Sequence, residues 1–262
     1  MPGEMGIAHD AESFTGRGQF FPPGSILTGI EQAEILEDPR GFASWRLVCA
    51  DASAMYLPED FEETNPERIS ALIDSHPLGM LVTAPDGIPF VSHLPFLHER
   101  GAGAKGKLIG HMARANPQWR HFSSGAEALA VFQGPHAYVS PSWYASPGVP
   151  TWNYAVVHVR GRPAIVEGEA ELEGLLERLT RIHESARPNP WKPNLAGERR
   201  AKLLGAIVGF EIEITSALAK FKLSQNRPPE DRRRVASELR RSGSQIDAAV
   251  GELMSEATDR AV

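Results

Sequence analysis

Hydrophobic positions follow regular patterns from Met55 onward, and the patterns predict short strands with a few helices. Ile69, Leu72 and Ile73 lie at helical spacing behind Asn65-Pro66, a favourable N-cap and first position of a helix. Thr64 with Glu67 offers a capping box as an alternative start. Apolar runs bounded by turn residues predict strands near residues 78–83, 88–97, 107–112, 128–132, 137–140, 153–167 and 207–214. Helical patterns cover residues 169–184 and the segment after residue 230.

The number and spacing of these strands predict the fold class. Six or seven short strands with hairpin spacing and flanking helices favour a mostly antiparallel barrel of α+β class. In the last strand, the alternation predicts that Phe210, Ile212 and Ile214 point inward while Glu211 and Glu213 point outward. Strands do not alternate with helices along the chain, so a Rossmann sheet is not predicted.

The segment from Lys107 to Phe122 combines a strand, a turn and a short predicted helix. Asn116 is a good N-cap, and Pro117 suits the first helical position. Helix N-termini attract anions, so free N–H groups here together with Arg114 predict a phosphate site, with Trp119 as cover for an aromatic ring. The alternative is a plain strand–turn–helix corner in which Trp119 belongs to the core.

Composition and charge exclude several classes of protein. The net charge is −6, of which residues 1–54 carry −5, so the remainder is close to neutral and is not expected to bind DNA through its overall field. Cys49 is the only cysteine, no run of eighteen apolar residues exists, and no secretory signal is visible. We therefore expect a cytoplasmic protein. Residues 1–54 are either a loosely folded extension, or translation begins at Met55.

Most catalytic motifs are absent. The sequence holds no G-x-S-x-G elbow, no H-E-x-x-H pair and no Walker A loop, and no metal site is expected. Polar side chains on the predicted strands suit a phosphorylated cofactor, and aromatic residues at 143–144 and 152–154 suit a flat ring. The alternative is that the polar residues face water and the tryptophans are core. The polar set is Ser92, His93, His111, Arg114, His158, Arg160, Lys222, Ser224, Gln225 and Arg227.

Five segments resemble the PaiB family, described as FMN-binding negative transcriptional regulators. They are HLPF at 93–96, GHMARANPQW at 110–119, FQGPHAYVSPSWY at 132–144, VPTWNY at 149–154 and FKLSQNR at 221–227. The resemblance runs from Met55 to about Arg241 and leaves residues 1–54 without a counterpart. It implies one domain over 55–262: the FMN-binding split barrel, similar to pyridoxamine-phosphate oxidases, with C-terminal helices and FMN in a groove between the subunits of a homodimer.

The resemblance implies which motifs bind the cofactor, and the chemistry of the side chains within them suggests a set of cofactor-binding residues. Carried over by motif, these are Ser92, His93, Leu94, His111, Met112, Ala113, Arg114, Asn116, Trp119, Trp152, Lys222, Ser224, Gln225 and Arg227. Three functions stay open: an FMN-binding transcriptional regulator, an FMN-dependent oxidoreductase using NAD(P)H or oxygen, and a flavin-sensing module that binds another protein. The arginine-rich stretch 227–241 is a candidate DNA surface, but a solvated helix is the simpler interpretation, and no helix-turn-helix is evident.

Overall fold

The computed structural model describes residues 55–101, 105–192 and 196–259, and also the backbone of two strands nearer the N-terminus. The chain divides into two compact units, Met1–Tyr56 and Leu57–Val262. In the first unit, strands β1 (Gln32–Glu37) and β2 (Ala43–Val48) form an antiparallel pair that the sequence patterns did not predict. The two alternatives for residues 1–54 stay predictions.

Six antiparallel strands of the second unit close into a barrel, which confirms the predicted fold class. They are β3 (Leu78–Thr83), β4 (Phe90–Glu99), β5 (Lys107–Ala113), β6 (Ala128–Val139), β7 (Thr151–Ile165) and β8 (Ile207–Lys222). Their order around the barrel is β3-β4-β5-β8-β7-β6. Every neighbouring pair is antiparallel and four of the six pairs join consecutive strands, so hairpin spacing was a useful signal for this architecture.

Two β-bulges change the strands that the alternation predicted. The two strands expected at 128–132 and 137–140 are one strand, β6, because its register shifts between Gln133 and His136 and so accommodates Gly134-Pro135. Strand β8 continues eight residues beyond Ile214, and a second shift opposite Arg160 and Gly161 changes which face its side chains occupy. A bulge inserts one unpaired residue, so inward and outward positions exchange beyond it.

Helices pack around the barrel. They are α1 (Pro66–Ser75), α2 (Glu169–Glu184), α3 (Gly197–Gly205), α4 (Pro229–Arg241) and α5 (Gln245–Asp259). Short 3-10 helices lie at Glu59–Phe61, Pro117–Ser124 and Pro141–Trp143. Asn65 caps α1 by accepting from the backbone N–H groups of Glu67 and Arg68 at 2.9 and 3.1 Å, so the Asn65 start is the one used. In the described part of the chain, no helix is long and apolar enough to span a bilayer.

The barrel interior is an aromatic core. Phe96, Phe132 and Phe210 are buried and meet edge to face at centroid distances of 5.5 and 6.0 Å. A Cβ on Gly110 would lie 2.7 Å from the Phe210 ring, so only glycine fits in β5 beneath it. On the outside of the same strand, Ile109 packs against α2. Each large buried side chain contributes about 1.5–3 kcal/mol, so this double-sided burial fixes the position of β5.

Candidate functional site

Strands β4 and β5 pair over part of their length and then separate. The ladder holds four residue pairs, from Glu99–Lys107 to Phe96–Gly110. Beyond these pairs, β4 continues with β3 alone and β5 with β8 alone. The result is an opening in the barrel wall, which we call the split. His93 lies on one edge of the split and His111 on the other.

The 3-10 helix Pro117–Ser124 crosses the split and ties its edges together. Asn116, the N-cap, accepts from the Gln118 backbone N–H at 3.0 Å and donates from its side chain to Ser92 Oγ at 2.8 Å. The predicted N-cap and Pro117 start are therefore confirmed, although the element is a 3-10 helix and not an α-helix. The contact between Asn116 and Ser92 joins two residues that the sequence analysis placed in the cofactor set.

Gln118 is a residue that the sequence analysis missed. Its side chain is fully buried, and Nε2 donates to Leu81 O at 2.9 Å, Phe90 O at 3.1 Å and Thr83 Oγ1 at 3.2 Å. The sequence signal that could have identified Gln118 was the N-cap at Asn116. This cap fixes the start of the 3-10 helix, so that the side chain two residues later points into the end of the barrel. Gln118 therefore holds the 3-10 helix against β3 and β4.

Near the split, two buried polar atoms have no hydrogen-bond partner in the part of the chain that the structure describes. They are His111 Nδ1 and Gln118 Oε1. Burial lowers the pKa of His111, so its imidazole is neutral at pH 7. Buried polar atoms are normally paired, and a ligand is one way to satisfy them. A neutral imidazole and a carboxamide oxygen suit a ligand that carries both N–H donors and carbonyl or hydroxyl groups.

Arg114 lies at the same end of β5, where it is exposed and has no carboxylate partner among the described residues. Its guanidinium donates to Gly205 O at 2.7 Å and Ile207 O at 2.8 Å, which are neutral carbonyls at the end of α3 and the start of β8. Trp119 Nε1 donates to Arg114 O at 3.1 Å, and the Trp119 ring is partly buried against the core. The structure thus brings together Ser92, His111, Arg114, Asn116 and Trp119 around the split.

The residues predicted to bind the cofactor near the split form a first group. Its other members differ in which of their atoms are accessible to a ligand. His93 is exposed on the outer face of β4, and Ala113 is exposed at the end of β5. Leu94 packs on the core, and Met112 is 2% exposed inside the barrel. The Met112 side chain is therefore occupied by packing, and only its backbone remains for a ligand.

A second group of predicted residues surrounds the far end of β8. Lys222 Nζ donates to Thr151 Oγ1 at 2.5 Å and to Trp152 O at 2.7 Å. Burial, followed by the nearby charge of Lys220, lowers the pKa of Lys222. The Trp152 ring is 54% exposed and lies edge-on to Tyr138 at 6.0 Å. Lys222 therefore bonds the main chain of Trp152, while the aromatic ring beneath its ammonium group is that of Phe61, at 5.9 Å from the centroid.

The other members of the second group make internal contacts. Ser224 is buried and bonds Asn153. The Gln225 side chain accepts from Leu223 N at 2.6 Å and donates to the backbone of Phe221. Both side chains therefore stabilise the turn that follows β8.

Arg227 belongs to an internal network as well. It lies 3.1 Å from Asp231, donates to Pro147 O at 2.9 Å and covers the Tyr144 ring at 4.2 Å. Asp231 is 1% exposed and accepts from the backbone N–H of Ala145 at 2.7 Å. Arg227 is thus neutralised by a buried carboxylate, and the pair anchors the loop that precedes β7 to α4.

The two groups lie at opposite ends of one strand. Arg114 N donates to Ala206 O at 2.8 Å, just before β8 begins at Ile207, whereas Lys222 is the last residue of that 16-residue strand. At about 3.3 Å per residue, a strand of this length extends over tens of ångströms. One chain therefore does not bring Arg114 and Lys222 to the same phosphate.

Between the two groups lies a row of outward-facing side chains. The register aligns His93, Met80, Val131, His158 and Leu218 on neighbouring strands β4, β3, β6, β7 and β8. Burial, followed by the charge of Arg160, lowers the pKa of His158. The face is therefore partly apolar, with neutral His158 in its centre.

Comparison with known proteins identifies similar chains. A family model described as "Putative FMN-binding domain" matches residues 55–216. The chain is 38% identical over 205 residues to Protease synthase and sporulation protein PAI 2 of Bacillus subtilis, covering 76% of this chain and 96% of that relative. It is 30% identical over 256 residues to an uncharacterized protein of Aspergillus fumigatus, covering 78% and 98% of the two chains.

Two solved structures share the fold at low sequence identity. The flavocytochrome Anf3 of Azotobacter vinelandii aligns with a TM-score of 0.54 at 17% identity, covering 70% of this chain and 79% of that one. An FAD and heme binding protein of Mycobacterium smegmatis aligns with a TM-score of 0.51 at 20% identity, covering 65% and 78%. At these identities the likeness establishes the split-barrel fold alone.

Proposed function

The chain belongs to the PaiB family of FMN-binding split-barrel proteins, with FMN as its cofactor, and on that premise we propose a binding mode and a role. FMN lies at the split, in a homodimer whose second copy contributes Lys222 and Trp152. The complex acts as a flavin-binding regulatory protein in the cytoplasm. The observation that carries the binding mode is that Arg114 and Lys222 bond neutral oxygens and no carboxylate within the described residues.

The chemistry of the split fits FMN. The phosphate needs cations and N–H donors, which Arg114 and the start of the 3-10 helix supply. The flavin ring and ribityl chain carry N–H, carbonyl and hydroxyl groups, which suit His111 Nδ1, Gln118 Oε1 and the Ser92–Asn116 pair. Bound FMN supplies the redox chemistry, and the protein supplies orientation and electrostatics.

The three predicted phosphate ligands differ in whether a carboxylate neutralises their charge. Arg114 and Lys222 bond only neutral oxygens among the described residues. Arg227 is instead paired with the buried carboxylate of Asp231. Arg114 is exposed and Lys222 is partly buried, so both cations remain available for charge-assisted hydrogen bonds with a phosphate. We therefore assign the phosphate to Arg114 and Lys222 and give Arg227 a structural role.

The need for a second copy follows from the position of these cations. They stand at opposite ends of β8 in one chain, so a shared phosphate requires that each come from a different copy. The outward face with His93 and His158 lies between them, and its partly apolar side chains offer a surface that a second copy can cover.

Flavin titration tests the binding mode. We expect Arg114→Ala and Lys222→Ala each to weaken FMN binding by roughly tenfold to a hundredfold, because one charge-assisted hydrogen bond contributes about 1.5–3 kcal/mol. Riboflavin should bind much more weakly than FMN to the wild type and should lose little more in either variant. Arg233→Ala, which removes an exposed arginine on α4, is the matched control. Equal affinities of the wild type for both flavins would exclude this phosphate site.

Arg227→Ala separates a phosphate ligand from a structural residue. We expect this variant to lower the thermal unfolding temperature of flavin-free protein, since it leaves Asp231 buried without its cation. Lys222→Ala should leave that temperature nearly unchanged. If the Arg227→Ala protein is as stable as the wild type but binds FMN weakly, Arg227 is a phosphate ligand and not a structural residue.

The regulatory role is supported by the extent of the likeness to PAI 2, a protein named for sporulation. Direct DNA contact through α4 is not favoured, because Arg233, Arg234 and Arg241 pair with glutamates on their own helix. Gel-shift titration of the FMN-loaded and flavin-free protein with genomic DNA fragments tests the role. Binding that changes with flavin supports regulation, and its absence at micromolar protein counts against a DNA-level role.

An FMN-dependent oxidoreductase is the second candidate, and one observation favours it. The neutral His111 imidazole has an unpartnered buried nitrogen at the split, where it could hold a proton or orient a substrate beside the flavin. NAD(P)H oxidation by the purified flavoprotein, compared with His111→Gln, tests this activity. Turnover that falls in the variant while FMN stays bound would favour the enzyme.

A further inference from the structure

The row of outward-facing side chains on five barrel strands has a histidine in an apolar setting. Its members are His93, Met80, Val131, His158 and Leu218. Val157 and Val159 on either side of His158 belong to the core, so the His158 side chain points away from the barrel. In the register, Val131 of β6 and Leu218 of β8 flank it. His158 is therefore half-buried between two apolar neighbours.

The charged groups nearest to His158 in the register are cations. Arg160 follows it on the same face of β7, and Lys220 follows Leu218 on the same face of β8. The described carboxylates that come closest in the register lie at the two ends of this face. They are Glu213 opposite Arg162, Glu127 just before β6, and Glu62, which forms a backbone bridge with Lys220. Four residues separate His158 from Arg162, or about 13 Å along a strand.

Burial, followed by the charge of Arg160, already lowers the pKa of His158 in one chain. In a twofold dimer the same surface of each copy faces the other, so a second copy brings the same apolar and cationic side chains to the row. A protonated imidazole in the contact would lose water and gain no opposite charge from the row of either copy. Protonation of His158 and association therefore oppose each other.

We propose that His158 makes the association of two copies depend on pH: the copies bind each other while its imidazole is neutral and separate once it is protonated. This inference rests on the proposed function, in which the two copies share the flavin site. Separation takes Lys222 of the second copy away from Arg114, so FMN binding weakens with it. Two free chains bind more protons than the dimer does, and acidification shifts the equilibrium towards single chains.

Sedimentation of the flavin-free, full-length protein at pH 7.5 and pH 5.0 tests the proposal. We expect the dissociation constant of the wild-type dimer to rise at least tenfold at pH 5.0, because each dimer takes up two protons on separating. His158→Leu and His158→Gln should lose most of this change, since neither side chain titrates. His183→Asn, at an exposed position near the end of α2, should follow the wild type. Circular dichroism checks that each protein is folded at both pH values.

The outcomes separate this inference from the proposed function. A wild-type dimer that is equally tight at both pH values would overturn the inference and leave the shared flavin site standing, as would variants that weaken as much as the wild type. A wild-type monomer at pH 7.5 would overturn both. A phosphate monoester gains a proton near pH 6, so FMN affinity is compared between proteins at one pH. At pH 5.0, His158→Leu should bind FMN more tightly than the wild type.

Discussion

At the scale of single residues, Gln118 combines complete burial with three hydrogen bonds to β3 and β4. We expect Gln118→Ala to lower the free energy of unfolding by about 1–3 kcal/mol, because buried acceptors lose their donor. Urea denaturation of the flavin-free protein measures this change. Arg120→Ala, at an exposed position of the same 3-10 helix, should change the free energy by less than about 0.5 kcal/mol. Equal effects of the two substitutions would contradict the role of Gln118.

The lowered pKa of His98 predicts how the stability of the protein depends on pH. Burial lowers its pKa, an effect that Asp74 opposes and Arg100 reinforces. Above the ordinary value of about 6.5, the ring is neutral in both the folded and the unfolded chain, so it adds no pH dependence. Below that value the unfolded chain binds a proton that the folded chain excludes, and stability falls. His111 and His158 act in the same direction.

We therefore expect the unfolding temperature of the wild type to fall between pH 7 and pH 5.5, and to fall less in His98→Asn. Differential scanning calorimetry over this range provides the measurement. The exposed His183→Asn substitution should leave the slope of the wild type unchanged. A His98→Asn protein with the full wild-type slope would show that His98 titrates normally in the folded chain.

At the scale of elements, one carboxylate joins α4 to the loop before β7. Asp231 accepts from Ala145 N at 2.7 Å, Ser146 N at 3.2 Å and Ser146 Oγ at 2.5 Å, and it pairs with Arg227. The Ser146 hydroxyl and these other donors lower the pKa of Asp231. Since the carboxylate is buried, its partners have no access to replacement water. Asp231 therefore makes a major contribution to the contact between α4 and the loop.

We expect Asp231→Ala to lower the free energy of unfolding by about 3–5 kcal/mol, because it leaves Arg227 and two loop N–H groups without their acceptor. Its neighbour provides a matched control. Glu230→Ala removes an exposed carboxylate that pairs with Arg233 and Arg234, and surface pairs contribute about 0–1 kcal/mol. Chemical denaturation compares the two variants. Similar losses in both would mean that the Asp231 network is not the anchor.

At the scale of the whole molecule, the proposed dimer predicts complementation between two defective chains. Arg114→Ala and Lys222→Ala proteins, unfolded and refolded together, form mixed dimers in which one of the two sites regains both cations. We expect about one quarter of all sites to recover wild-type FMN affinity, since random pairing makes half of the dimers mixed. Fluorescence titration of the mixture measures this fraction. No recovery, or a monomer in sedimentation at micromolar concentration, would contradict a site shared between copies.

Local patterns determined most of the elements of this protein. Periodicity located the strands and helices of the barrel, and Asn65 and Asn116 marked two helix starts that the structure uses. These features depend on neighbouring residues, so they are readable without the fold. The motif resemblance also identified the cofactor and brought Ser92, Asn116 and Arg114 into one candidate site. Their convergence agrees with the structure because all three lie beside one strand end.

Contacts between distant residues decided the rest. The split exists because β4 and β5 stop pairing at Phe96 and Gly110, and strand pairing between residues far apart in sequence leaves no local signal. The same applies to the pairing of Arg227 with the carboxylate of Asp231, four residues further along the chain, and to the burial of Gln118. Motif order placed Arg114 and Lys222 in one phosphate site, whereas the length of β8 sets them apart within a chain. A sequence records which cations are present; only the tertiary structure decides which of them are neutralised and which face the same space.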